Sequence, residues 1–200
     1  MNLSTRMVLV LTTVGLISGG MLATVGILTQ EQIEKNKQRE IKAAISQVIP
    51  GTKDSGILFE EEDLIVYGGS DETGNLIGFA VLVSGTGFQD KIKLMYGMNQ
   101  EMTKINRLAV LEQKETPGLG AKIASQETFL QFWENKDSSG ALKLRKPVSS
   151  SSELAASEVN TITGATISSE KVLEIVNLSL DKVKRLKKEG RLKKEDGHGS

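Results

Sequence analysis

Two hundred residues provide one ordinary domain and a further segment, and 25 basic against 25 acidic side chains leave no net charge to favour nucleic acid. Aromatics at 4% offer no stacking platform for bases. Cysteine is absent and His198 is the single histidine, which excludes disulfides, thiol catalysis and cysteine-ligated clusters and argues against a histidine-built metal site or triad. Carboxylates, hydroxyls, lysines or a borrowed cofactor must carry any chemistry.

In chain order, a short tail (1–6) leads into residues 7–28, a run without a charge. As a helix it reaches about 33 Å, enough to cross a bilayer. Its length, with no convincing small-residue cleavage site after it, favours an uncleaved transmembrane helix over a signal peptide. Gly15, Gly19 and Ala23 recur every four residues, giving a smooth face that a second membrane helix could approach. Arg6 precedes the span while Lys35, Lys37, Arg39 and Lys42 follow it, so the positive-inside count places the following domain in the cytoplasm. That rule weakens for long translocated domains.

A connecting helix is expected over 29–50, with Ile33, Ile41, Ala44, Ile45 and Val48 mostly at helical spacing and Pro50-Gly51 as the stop. Strand-like runs follow at 64–67, 76–83, 91–97 and 104–112, separated by turn residues; such close spacing predicts an antiparallel meander. A helix is expected over 121–135, a strand over 142–145, a Ser-rich link at 149–152, and a last helix from Ile167 to about Lys188. The fold class is α+β: one domain (51–188) with an antiparallel sheet and flanking helices behind one membrane anchor. A basic, flexible tail (189–200) ends the chain, and the cations from Lys182 to Lys194 read either as a solvated helix end or as a contact for anionic lipid or a partner subunit.

Two segments carry candidate chemistry. Glu115-Thr116-Pro117-Gly118-Leu119-Gly120 places two glycines and a proline in six residues, a turn whose backbone can approach a ligand closely, though many such turns only join two elements. Thr161 to Ser169 (TITGATISS) is hydroxyl-rich and stands before the last helix. Free N–H groups at a helix start suit phosphate; plain N-capping by Ser168 or Ser169 is the alternative.

Together these segments resemble the FMN-binding domain family. Thr163-Gly164-Ala165-Thr166 is similar to its [Ser/Thr]-Gly-Ala-Thr flavinylation motif, and residues 115–120 match its Glu-Thr-Pro-Gly-Leu-Gly loop letter for letter. Order, spacing and the single N-terminal span agree from the anchor to the last helix. Within the family the chain looks closest to the Rnf-type branch, which serves an ion-translocating ferredoxin:NAD oxidoreductase. The sister branch, in the sodium-pumping NADH:quinone oxidoreductase, is usually longer. The chain has Asn160 where the motif usually begins with Asp, which keeps size and a carbonyl acceptor but loses charge.

The resemblance implies FMN covalently linked through a phosphoester to Thr166, with Thr163, Gly164 and Ala165 around the phosphate. It places Glu115, Thr116, Gly118 and Leu119 beside the isoalloxazine ring. It implies a magnesium-dependent flavin transferase for maturation and, as partners, the other membrane, iron–sulfur and flavin subunits of an Rnf-type complex. No nucleic acid, metal site or independent catalytic residue is expected. The family also places the domain on the outer, periplasmic face of the cell membrane, against the positive-inside count. Two other readings stay open: a stand-alone anchored flavin carrier, and an anchored binding protein that has lost its flavin.

Overall fold

The computed structural model describes residues 2–193, so Met1, Lys194 and His198 lie outside the described residues. Two compact units part between Lys42 and Ala43.

The first unit is helical. Helix α1 (Leu3–Val48) joins the apolar run and the connecting segment without a break, because no proline occurs before Pro50, just past its end. It is long and apolar enough to cross a membrane, and its Leu11, Leu16, Leu22 and Ile27 are more than 70% exposed. The hydroxyls of Thr13, Thr24 and Thr29 each donate 2.8 Å to the carbonyl four residues earlier, so these polar groups need no water. Past the apolar run, charged side chains resume at Glu31, which pairs with Lys35 at 2.6 Å.

The second unit begins in the last turn of α1, where Ala44, Ile45 and Val48 are buried while Ile33, upstream in the first unit, is 62% exposed. Five strands then run as an antiparallel meander in sequence order: β1 (Asp54–Glu61), β2 (Leu64–Ser70), β3 (Leu76–Thr86), β4 (Lys91–Asn99) and β5 (Lys104–Glu112). Val66, Val81, Tyr96 and Leu108 stand in register across four of them, all buried. Short polar turns fix the register. Asp71 accepts from the backbone N–H groups of Thr73 and Asn75 at 2.8 and 3.0 Å, and Asn99 accepts from those of Thr103 and Lys104, both at 2.9 Å.

The expected helix over 121–135 does not form. Two short 3-10 turns stand there, Gly120–Ala124 and Leu130–Trp133, joined by a bend in which the Ser125 carbonyl accepts from both Phe129 and Leu130. Ile123, Phe129, Leu130, Phe132 and Trp133 are all buried, and a 3.6-residue repeat could not keep so dense an apolar set on one face. Phe129 and Trp133 meet edge to face at 5.8 Å. A two-residue strand, β6 (Lys136–Asp137), pairs with β5, and β7 (Lys143–Arg145) pairs in parallel with β8 (Glu158–Asn160).

Helix α2 (Thr166–Lys188) closes the domain. Its Val172, Ile175, Val176, Leu180, Val183 and Leu186 join Val81, Leu94, Tyr96 and Met98 of the sheet in one apolar core. Its basic end is tied to its own domain: Lys184 donates to the Ser138 carbonyl, Lys187 to the Gln100 carbonyl, and Lys182 pairs with Glu61. Beyond it, Arg191 stands over the Phe59 ring.

Candidate functional site

Three segments meet on the Glu115 carboxylate. Oε1 accepts from the backbone N–H of Phe88 (2.8 Å) and of Gln89 (3.2 Å), at the tip of the hairpin between β3 and β4. Oε2 accepts from the Ser168 hydroxyl at 2.8 Å, in the first turn of α2. Glu115 is only 4% exposed, so this carboxylate is desolvated and held by protein donors. No side chain fits at position 120: a Cβ there would come 2.6 Å from Ser168 Oγ and 2.9 Å from Glu115 Cβ.

The loop after Glu115 folds on itself. The Thr116 carbonyl accepts from Leu119 and Ala121, both at 3.1 Å, with Pro117 and Gly118 (φ +76°) making the turn between. Gln89 Nε2 donates to Thr116 Oγ1 at 2.9 Å, a second tie between loop and hairpin tip. Leu119 is left 48% exposed at the crest.

Strand β8 leads into the start of α2. Gly164 takes φ +81°, a left-handed conformation that glycine enters without the cost a Cβ brings. A Cβ on it would lie 3.4 Å from Leu119 Cδ2, so the loop crest and the hydroxyl-rich turn adjoin. Ala165 occupies the N-cap position and offers no side-chain cap. Neither Ser168 nor Ser169 caps the helix: Ser168 serves Glu115, and Ser169 Oγ donates to the Ala165 carbonyl (3.0 Å) and accepts from the Ile162 N–H (3.2 Å). The first turn therefore presents N–H groups with no side-chain cap, beside exposed Thr163, Gly164 and Thr166 and the half-exposed Ile167.

This donor set fits a phosphate monoester. Thr166 supplies a free hydroxyl, the uncapped N–H groups and the positive helix end suit the anion, and Leu119 and Ile167 offer apolar surface nearby. Thr163, Gly164, Ala165, Thr166 and Leu119 thus lie together, with Thr116 beside the hairpin tip. Glu115 lies beneath them, its oxygens turned to the protein. A groove of about 450 Å³ lined by Glu61, Leu64, Val83, Lys171, Ile175 and Leu178 is a separate feature and includes none of these residues.

Asn160 is buried, and its Oδ1 accepts from Val148 N at 2.9 Å while Nδ2 points to Val148 O at 3.5 Å. Its amide braces the 146–150 segment against the strand that feeds the TGAT turn. Sequence reasoning missed this brace, and it missed Ser168 and the hairpin tip as parts of the site. The available signal was the bulky aromatic Phe88 placed directly after a Gly-Thr-Gly turn.

A sheet meander, one long packed helix and an uncapped, hydroxyl-bearing helix start make up a small α+β domain whose exposed turn suits a phosphate, and known proteins share its features. Residues 87–181 match the model of a family described as FMN-binding domain. The chain is similar to the G-type component of the ion-translocating oxidoreductase complex of Methanosarcina acetivorans, with 27% identity over 90% of this chain and 94% of that protein. It is also similar to the G-type component of the Na(+)-translocating ferredoxin:NAD(+) oxidoreductase complex of Acetobacterium woodii, with 26% identity over 82% of each. In fold it resembles the crystal structure of the C-type component of Na(+)-translocating NADH-quinone reductase from Parabacteroides distasonis (TM-score 0.57, 20% identity, 76% of this chain and 92% of that one).

Proposed function

We propose that this chain is a membrane-anchored electron-transfer subunit of an Rnf-type ion-translocating ferredoxin:NAD(+) oxidoreductase complex, bearing FMN as a phosphoester on Thr166. The similarity to the G-type components of such complexes supports the setting, and α1 supplies a helix able to serve as the anchor. The observation that carries the cofactor assignment is the exposed Thr166 hydroxyl at an uncapped helix start, beside the Leu119 crest.

In the attachment, Thr166 Oγ1 forms a bond to the flavin-side phosphorus of FAD, the diphosphate bridge breaks, AMP leaves, and the hydroxyl proton is lost to solvent or the transferase. Once bound, FMN supplies the redox chemistry. The chain's own residues would do the rest: the first-turn N–H groups would receive the phosphate charge and Leu119 and Thr116 would lie beside the ring, while Glu115 holds Ser168 in the turn. With the domain on the outer face, covalent attachment prevents loss of a cofactor that the cytoplasm could not replace there.

Intact-mass measurement tests this, read beside flavin fluorescence in a denaturing gel. The wild-type chain should carry the added mass of one FMN. Thr166→Val should remove both mass and fluorescence, while Thr163→Val should retain them. Full fluorescence in Thr166→Val, or loss only in Thr163→Val, would move the linkage.

A further inference from the structure

We infer that Phe88, at the tip of the β3–β4 hairpin, is a flavin-contacting residue whose ring shares the isoalloxazine surface with Leu119 and Ile167. The inference rests on the FMN reading above and adds a third apolar residue to it.

The chain is poor in aromatics, and the fold uses nearly all of them inside. Tyr67, Phe79, Tyr96, Phe129, Phe132 and Trp133 are buried and Phe59 is partly so, leaving Phe88 as the one that is 58% exposed. A single exposed ring is ordinary on a protein surface; what sets this one apart is the loop that carries it, which is tied to the attachment turn.

The loop is also fixed, which distinguishes it from a free tip. Gly87 N donates to Asp90 O at 2.9 Å to close the turn, and a Cβ at position 87 would lie 2.5 Å from Glu115 Oε1. Phe88 N and Gln89 N both donate to Glu115, and the Gln89 side chain holds Thr116. Glu115 then passes directly to Ser168, two residues beyond Thr166. Two hydrogen bonds to a single carboxylate therefore connect the backbone of Phe88 to the turn that bears the attachment hydroxyl. Leu119 and Ile167 are each 48% exposed around the same turn. A flat, largely apolar ring tethered at Thr166 has these three side chains as its available apolar contacts near the three joined segments, and an aromatic face suits a flavin.

The test uses the full-length, flavinylated protein in detergent, comparing wild type with Phe88→Ala and Phe88→Trp. Covalent FMN mass should persist in both, because Thr166 is untouched. Phe88→Ala should raise the iodide quenching constant of the flavin at least about twofold, as its ring loses cover, and change its visible circular dichroism. Phe88→Trp should lower flavin emission at least about twofold, since an indole in contact with an excited flavin donates an electron to it. Unchanged quenching, dichroism and emission in both variants at full occupancy would overturn the contact and assign Phe88 to a protein partner instead. If Phe88→Ala fails to accumulate, Phe88→Trp decides alone, and unchanged emission overturns the inference. A wild-type chain without added FMN mass would sink the FMN reading itself, a distinct result, and this inference with it.

Discussion

Glu115 holds three segments with two oxygens, and the consequences of removing it differ by substitution. Glu115→Gln keeps a carbonyl oxygen for Phe88 N and Gln89 N, and the Ser168 hydroxyl can turn to accept from the new amide. Glu115→Ala leaves those donors without a partner and opens a void beside Gly120. We expect Glu115→Ala to cost about 1–3 kcal/mol of stability and Glu115→Gln clearly less, read by urea denaturation. Equal losses would mean that packing of the side chain, and not its hydrogen bonds, matters. Both loop motifs were legible as letters in the sequence. Their junction was not, because Glu115 and Ser168 stand 53 residues apart and nothing local announces that they meet.

At the scale of elements, Tyr96 of β4 and Ser179 of α2 join sheet and helix through a 2.9 Å hydrogen bond between their hydroxyls. Burial pushes the Tyr96 phenol well above its ordinary range, with the Ser179 bond opposing weakly, and burial also raises Tyr67. The folded chain therefore keeps protons that the unfolded chain releases near pH 10, so this part of the stability is intact below about pH 10 and lost as pH rises beyond it. Tyr96→Phe should flatten, without abolishing, the alkaline decline in stability. At neutral pH it should cost only about 1 kcal/mol, because Ser179 retains its bond to the Val176 carbonyl. An unchanged alkaline slope in denaturation series across that range would refute the assignment.

The elements also differ in how well their sequences announced them. β2 to β5 lie between clear turn signals and bury long apolar runs, so their sequences are easily read. β1, a half-buried edge strand with charges at both ends, carries no such contrast. The stretch over 121–135 has helical composition, but its aromatics plug the core from a folded-back loop, a tertiary demand that outweighs propensity.

For the whole molecule, α1 exposes a long apolar surface suited to lipid, and under the proposed anchoring the side of the membrane taken by the sheet domain follows from how that helix inserts. We expect the domain on the outer face, opposing the pull of Lys35, Lys37, Arg39 and Lys42. Protease added to intact cells stripped of any outer layer should degrade it. Cleavage only after lysis would reverse the orientation. The shape of the attachment turn also bears on access. Thr166 is solvent-exposed, and its turn is held by contacts within the chain, Ser168 to Glu115 and Ser169 to Ile162. Under the proposed attachment, those contacts would keep the acceptor hydroxyl at the surface of the folded domain, where a flavin transferase would reach it without opening the core.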